Sequence, residues 1–109
     1  MSSNAQRIRE LNDAFRTSLS GGRVMMTAGI DALDSDVKAM IIREVATFSD
    51  FNADNDPHGE HDFGAIKVAG LKVFWKIDAY DSTMTYGSED PANPDVTTRV
   101  MTIMLADEY

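Results

Sequence analysis

Residues 71–80 alternate between apolar and polar side chains, and this alternation restricts the fold more than any other feature of the chain. A period of two is typical of a β-strand with one face in a core. The expected core face carries Leu71, Val73, Trp75, Ile77 and Ala79. The opposite face carries Lys72, Phe74, Lys76, Asp78 and Tyr80. The segment therefore predicts one strand of a sheet whose two faces differ.

Three other short apolar segments predict the remaining strands. Residues 63–69 precede 71–80 and are joined to it by a tight turn at Ala69-Gly70. Residues 97–106, rich in Thr, Val, Met and Ile, predict the last strand. Residues 23–28 follow a glycine pair and predict the first strand, with a turn at 29–31.

Two segments have the 3–4 spacing of amphipathic helices. Residues 5–19 carry their apolar stripe at Ile8, Leu11, Phe15 and Leu19. Their charged residues are expected mainly on the other side of the helix: Arg7, Arg9, Glu10, Asp13 and Arg16. Residues 35–48 carry a second stripe at Val37, Met40, Ile41, Val45 and Phe48.

These elements predict one α+β domain over residues 1–109, because amphipathic helices need a sheet face to cover. The element order α-β-α-β-β-β places two helices on one face of a four-stranded, antiparallel-dominated sheet. A chain of 109 residues is long enough to bury one core. The residues expected in that core include Phe15, Val45, Trp75, Ile77 and Ile103.

The net charge of −8 lies entirely in residues 50–109, where twelve acidic residues face four basic ones. Because phosphate affinity needs a basic surface, we expect no direct binding to nucleic acid. The chain has no cysteine and no apolar run of membrane length, so we expect a cytoplasmic protein without a membrane partner. No cofactor is expected. The sequence predicts no oligomeric state.

The acidic residues fall in two loops, 49–62 and 81–96, that a strand meander places at the same end of the sheet. Residues 50–62 carry Asp50, Asp54, Asp56, Glu60 and Asp62, and residues 78–95 carry Asp78, Asp81, Glu89, Asp90 and Asp95. Crowded carboxylates raise one another's pKa values and destabilise the fold unless a nearby cation neutralises them. The candidates are a metal ion, a basic partner, or Lys76 and Arg99 of the same fold.

Both histidines, His58 and His61, lie in the first acidic loop. Residues 50–61 begin like an EF-hand, but Asn55 and His61 at its sixth and twelfth positions exclude that motif. His58 and His61 with Asp56 or Asp62 remain candidate metal ligands. We favour instead a structural role in which His61 joins the two acidic loops by hydrogen bonds.

Catalytic motifs are weak in this chain. His61 with Asp62, Asp78 or Glu89 is a candidate acid–base pair. There is no Gly-x-Ser-x-Gly elbow and no glycine loop placed to bind phosphate. We therefore favour a protein that is not an enzyme, and leave an enzyme as the alternative.

Three segments carry a resemblance to a known family: DNDPHGEHDFG at 54–64, FWKIDAYD at 74–81, and the run from Gly87 to Tyr109. They resemble short bacterial proteins of unknown function, found mainly in alphaproteobacteria and often on plasmids or other mobile elements. The resemblance implies no activity, cofactor or catalytic residue. Its mobile-element setting implies an accessory or anti-defence role.

The sequence thus predicts a small acidic, non-enzymatic protein that presents an acidic rim to a basic, nucleic-acid-binding protein. The rim residues are Asp54, Asp56, Glu60, Asp62, Asp78, Asp81, Glu89 and Asp90. The alternative is a small metal-binding domain or metal-dependent hydrolase centred on the 54–62 loop. Its ligands would be His58, His61 and Asp62.

Overall fold

A computed structural model describes residues 4–109 as three helices and a four-stranded sheet. The helices are α1 (Asn4–Ser18), α2 (Ala28–Asp31) and α3 (Ser35–Thr47). The strands are β1 (Gly22–Met26), β2 (Phe63–Val68), β3 (Leu71–Tyr80) and β4 (Thr98–Leu105). Single 3₁₀ turns occupy Pro94–Val96 and Ala106–Glu108. Every predicted helix and strand is present within two residues of its expected bounds.

The sheet has the strand order β1-β4-β3-β2. β2 and β3 form an antiparallel hairpin, β3 pairs antiparallel with β4, and β1 pairs parallel with β4. The predicted α+β class, with a mainly antiparallel sheet, is therefore confirmed. The parallel β1 strand is an edge strand, which the sequence pattern did not reveal.

The core lies between the sheet and the helices. Trp75, Val73 and Ile77 of β3 contribute to a cluster with residues from β4 and from all three helices. All five residues predicted for the core are buried: Phe15, Val45, Trp75, Ile77 and Ile103. The alternation in residues 71–80 therefore identifies the covered face of the sheet correctly.

The predicted turn at 29–31 is wrong, because this segment forms the short helix α2. The carboxylate of Glu108 accepts hydrogen bonds from the Gly29 N–H at 3.0 Å and the Thr27 hydroxyl at 2.6 Å. A Cβ at Gly29 would lie 2.7 Å from a Glu108 oxygen, so glycine is needed for this approach. The carboxylate that stabilises α2 belongs to Glu108, about eighty residues later in the chain. The local sequence therefore could not indicate this helix.

The hairpin of β2 and β3 brings both acidic loops to one end of the sheet, here called the acidic end. The loop 48–62 enters β2 at this end, and the loop 81–97 leaves β3 from it. The loop 48–62 has no helix or strand of its own, as expected from its turn residues.

Candidate functional site

Carboxylates from both sides of the hairpin surround a small cavity at the acidic end. The cavity has a volume of about 190 Å³. Its lining consists of Ile8, Asn12, Glu60, Asp62, Ile77, Asp78, Ala79 and Pro91. Three of the predicted rim residues, Glu60, Asp62 and Asp78, thus lie around one concavity.

Burial and mutual repulsion shift the ionisation of this group. Burial raises the pKa of Glu60, and the nearby Asp62 carboxylate raises it further. Burial also raises the pKa of Asp62, with added repulsion from Asp56 and Asp78. His58 opposes both shifts, because a positive imidazolium favours the ionised carboxylates. The fold therefore holds negative charge together against a local electrostatic cost.

A buried polar pair, Asn12 and Arg99, connects the two acidic loops. Arg99 Nε donates to Asn12 Oδ1 at 2.7 Å, and Arg99 Nη2 donates to the carbonyl oxygen of Pro91. Asn12 Nδ2 donates to the carbonyl oxygen of Glu60 at 3.0 Å. One loop is thereby tied to the other through α1 and β4. The positive charge of Arg99 also opposes the raised pKa of Glu60.

Lys76 is the second cation of the fold, after Arg99, that lies close to carboxylates of the acidic end. Its ammonium lies 3.0 Å from an Asp78 carboxylate oxygen. That hydrogen bond raises the pKa of Lys76, because it favours the charged ammonium. Lys76 thus neutralises the carboxylate of Asp78. Among residues 4–109, Glu60 and Asp62 form no ion pair with a lysine or arginine.

The other predicted rim residues differ in their surroundings. Asp54, Glu89 and Asp90 are exposed. Asp81 accepts hydrogen bonds from Thr83 and from the backbone of its own loop, which lower its pKa. Asp56 departs from the expected rim, because its side chain is turned inward and is only 6% exposed.

His61 contacts α1 rather than the second acidic loop. Its Nδ1 lies 2.9 Å from an Asp13 carboxylate oxygen, and its Nε2 lies 3.5 Å from Asp56. The ring of Phe51 stacks on the imidazole, with centroids 3.7 Å apart and planes 3° from parallel. The expectation that His61 joins the two loops is therefore wrong. The histidine attaches the first loop to α1, and Asn12 with Arg99 supplies the connection to the second.

The prediction that Arg16 lies on the solvent-facing side of α1 is wrong. The side chain is buried, with a relative exposure of 3%. Its Nη1 donates to the carbonyl oxygens of Val45 at 2.8 Å and Phe48 at 2.9 Å, at the end of α3. The guanidinium carbon lies 5.1 Å from the Trp75 ring centroid. The buried charge is compensated by the Asp13 carboxylate, 3.1 Å from Arg16 Nη2, and by the carbonyl groups at the negative end of the α3 dipole.

A signal for these buried polar residues exists in the sequence. Asn12 and Arg16 follow Ile8 at intervals of four, so all three lie on one row of α1. That row faces the core. The charge of Arg16 favours a solvent-facing position, whereas its helical spacing indicates the opposite.

Within residues 4–109, the structure does not bring the proposed metal ligands together. His58 is exposed, and both ring nitrogens of His61 point to Asp13 and Asp56 instead of Asp62. Among residues 4–109, no group of three or more His, Asp and Glu side chains is arranged to hold a metal ion. Metal binding stays a prediction, and a zinc titration tests it.

A family model described as "Protein of unknown function (DUF3768)" matches residues 26–108. No curated protein and no solved structure matches the chain. Across residues 4–109, no helix is long and apolar enough to span a membrane.

Proposed function

We propose that this chain, which belongs to the family described as "Protein of unknown function (DUF3768)", is a small non-enzymatic binding protein whose acidic end engages a basic protein. One observation carries the proposal: Glu60, Asp62 and Asp78 surround a single cavity. A cationic side chain that enters this cavity gains Glu60 and Asp62 as carboxylate partners, beside an Asp78 that is already paired with Lys76.

The electrostatics of the cavity favour a cationic ligand. Burial raises the pKa values of Glu60 and Asp62, and neighbouring carboxylates raise both further. A lysine or arginine from a partner would relieve that repulsion, since an opposite charge nearby favours the ionised carboxylate. Arg99 and Lys76 supply only part of this compensation, because each already binds other groups of the fold.

The exposed carboxylates around the cavity would raise the rate at which the protein associates with its partner. Asp54, Glu89 and Asp90 lie on the same two loops and are open to solvent. Clustered exposed charge raises association rates more than it raises affinity, and its effect falls with salt. The binding should therefore be fast and strongly dependent on ionic strength.

The class of partner follows from the charge of the surface. A basic surface that accepts a small, dense group of carboxylates is typical of proteins that bind nucleic acid phosphates. In the bacterial mobile-element setting implied by the sequence resemblance, the protein would serve as an accessory or anti-defence factor. It would compete with nucleic acid for the basic surface of a defence or regulatory protein.

Titration of a fluorescein-labelled arginine-rich peptide with the purified protein tests the proposal. The variant Asp54→Asn/Glu89→Gln/Asp90→Asn removes three exposed charges from the acidic end. The matched control Asp31→Asn/Asp36→Asn/Glu44→Gln removes three exposed charges from α2 and α3. Because the two variants have the same net charge, any difference between them reports the position of the carboxylates.

We expect the first variant to bind the peptide more weakly than the control, and wild-type binding to fall steeply between about 50 and 200 mM salt. Adding Asp62→Asn should weaken binding further, because Asp62 lines the cavity. Equal loss in the two variants, or binding that does not respond to salt, would contradict a specific acidic binding site.

A further inference from the structure

The sheet has a second face, opposite Trp75. The three α-helices described among residues 4–109 contribute to the core on the Trp75 side, and Val100 and Met104 at the middle of the second face are also buried. We call the second face the open face. Strand alternation and register give its composition. It carries Arg23 and Met25 of β1; Phe63, Ala65 and Lys67 of β2; Lys72, Phe74, Lys76, Asp78 and Tyr80 of β3; and Thr98, Val100, Thr102 and Met104 of β4.

The open face is basic in a strongly acidic chain. It holds four of the ten lysine and arginine residues, Arg23, Lys67, Lys72 and Lys76. Its strands contribute one carboxylate, Asp78, which is paired with Lys76 at 3.0 Å. Three cations therefore remain without an acidic partner on the strands of this face. The net charge of −8 conceals this separation of charge.

Aromatic rings cluster between these cations. The Phe63 and Phe74 centroids lie 5.3 Å apart, and the ring of Tyr109 lies 5.7 Å from Phe74. The ammonium of Lys72 lies 5.5 Å from the centroid of Phe74. Tyr109 is 75% exposed, so its ring is available to a ligand.

We propose that the open face binds single-stranded nucleic acid. Unpaired bases would stack on Tyr109, Phe63 and Phe74, while Lys67 and Lys72 contact the phosphates. Aromatic rings bordered by basic side chains are the chemistry that proteins use to hold single strands, because every base has a stacking face and every linkage has a negative charge. A duplex keeps its bases stacked internally and would use only the lysines.

A second copy of the chain is the competing occupant, and charge argues against it. Two open faces laid together would bring four cations against four cations, and like charges across an interface are costly. The net charge of the whole chain disfavours direct contact with nucleic acid, whereas the cations on this face favour it. The inference does not rest on the acidic end, with which the open face shares Lys76 and Asp78.

Fluorescence anisotropy with labelled single-stranded RNA and DNA of one mixed sequence, and with the matching duplex, tests the inference. Two pairs of variants isolate the face. Tyr109→Ser is matched by Tyr86→Ser, since Tyr86 is 73% exposed but lies in the loop after β3. Lys72→Glu is matched by Lys38→Glu, since Lys38 lies on α3. Thermal unfolding confirms that each variant is folded.

We expect single strands to bind with a Kd on the order of 10 µM at low salt, and the duplex to bind more weakly. Tyr109→Ser should weaken single-strand binding about tenfold. Lys72→Glu should weaken it and also reduce the salt dependence of log K by about 0.7 for each lost phosphate contact. Tyr86→Ser and Lys38→Glu should bind like the wild type.

Three results would overturn the inference. The first is the absence of saturable single-strand binding at protein concentrations up to about 100 µM. The second is equal loss of binding in the open-face variants and their controls. The third is a dimer of the wild type that Lys72→Glu or Tyr109→Ser converts to a monomer, which would assign the face to a second copy.

Discussion

Asn12 Oδ1 accepts a hydrogen bond from Arg99 Nε at 2.7 Å, and both side chains are at most 4% exposed. The two residues are 87 positions apart and join α1 to β4. Their remaining hydrogen bonds reach Glu60 in one loop and Pro91 in the other. This buried polar contact therefore links the positions of the two acidic loops.

Asn12→Ala should lower the free energy of unfolding by about 1–3 kcal/mol, because it leaves the buried Arg99 guanidinium without one of its acceptors. Urea denaturation measures this loss. Thr17→Ala, at an exposed position of the same helix, should change stability by less than about 0.5 kcal/mol. Equal effects of the two substitutions would show that the contact with Arg99 contributes nothing.

Trp75→Ala should destabilise the domain by about 3–5 kcal/mol, since the side chain is fully buried. A loss below about 1 kcal/mol in chemical denaturation would contradict its place in the core.

Gly64→Ala should also destabilise the protein, by about 1–3 kcal/mol, because it overpacks the core. A Cβ at Gly64 would collide with the Trp75 indole nitrogen. Ala65→Gly provides a neighbouring comparison, because Ala65 lies on the exposed side of the same strand. Thermal unfolding of a Gly64→Ala protein at the wild-type temperature would show that the indole can move aside.

Neutralising the cavity carboxylates should change stability in a pH-dependent way. A pKa raised in the folded state means that ionisation disfavours folding. The penalty is present above the folded-state pKa values of Glu60 and Asp62, and disappears as the pH falls toward the unfolded values near ~4. Glu60→Gln and Asp62→Asn should therefore raise the free energy of unfolding at neutral pH, with a difference from wild type that vanishes on acidification.

Asp81→Asn is the control of opposite sign. Hydrogen bonds from Thr83 and the surrounding backbone lower the pKa of Asp81, so its ionised form stabilises the fold. That stability is present above the unfolded pKa and is lost as the pH falls through the lower folded value. Asp81→Asn should lower stability at neutral pH. Urea denaturation series at several pH values distinguish the two signs, and identical signs would contradict the electrostatic description of the cavity.

Zinc should not bind at the histidines, since the ring nitrogens of His61 are engaged by Asp13 and Asp56. NMR spectra of the His58 and His61 rings should be unchanged by equimolar zinc. His61→Ala should weaken the attachment of the loop to α1, whereas His58→Ala should not, because His58 is exposed. A stoichiometric change of both rings on zinc addition would support the metal-binding alternative.

The sequence predicted what depends on local periodicity and failed where distant groups decide. The alternation in residues 71–80 identified the core face of β3, and helical spacing identified the stripes of α1 and α3. The same spacing placed Arg16 on the core-facing row, but its charge suggested solvent. Its acceptors are carbonyl groups about thirty residues away, which a local pattern does not contain.

The acidic end shows the same division. The meander was sufficient to bring Glu60, Asp62 and Asp78 to one end of the sheet. It did not show that Asp56 turns inward to His61, because that contact depends on how the loop packs on α1. Nor did the net charge show that Lys67, Lys72 and Lys76 lie together on the open face, since a net charge does not depend on where the charged residues lie.

The cap that Arg16 places on α3 has a consequence for the order in which the chain folds. The residues that follow α3 are Phe48, Ser49 and Asp50, so no glycine closes this helix locally. The carbonyls at the end of α3 gain their Arg16 donor only when α1 has docked. The two helices should therefore form a single foldon, and the amide hydrogens at the end of α3 should exchange with solvent only when α1 detaches as well.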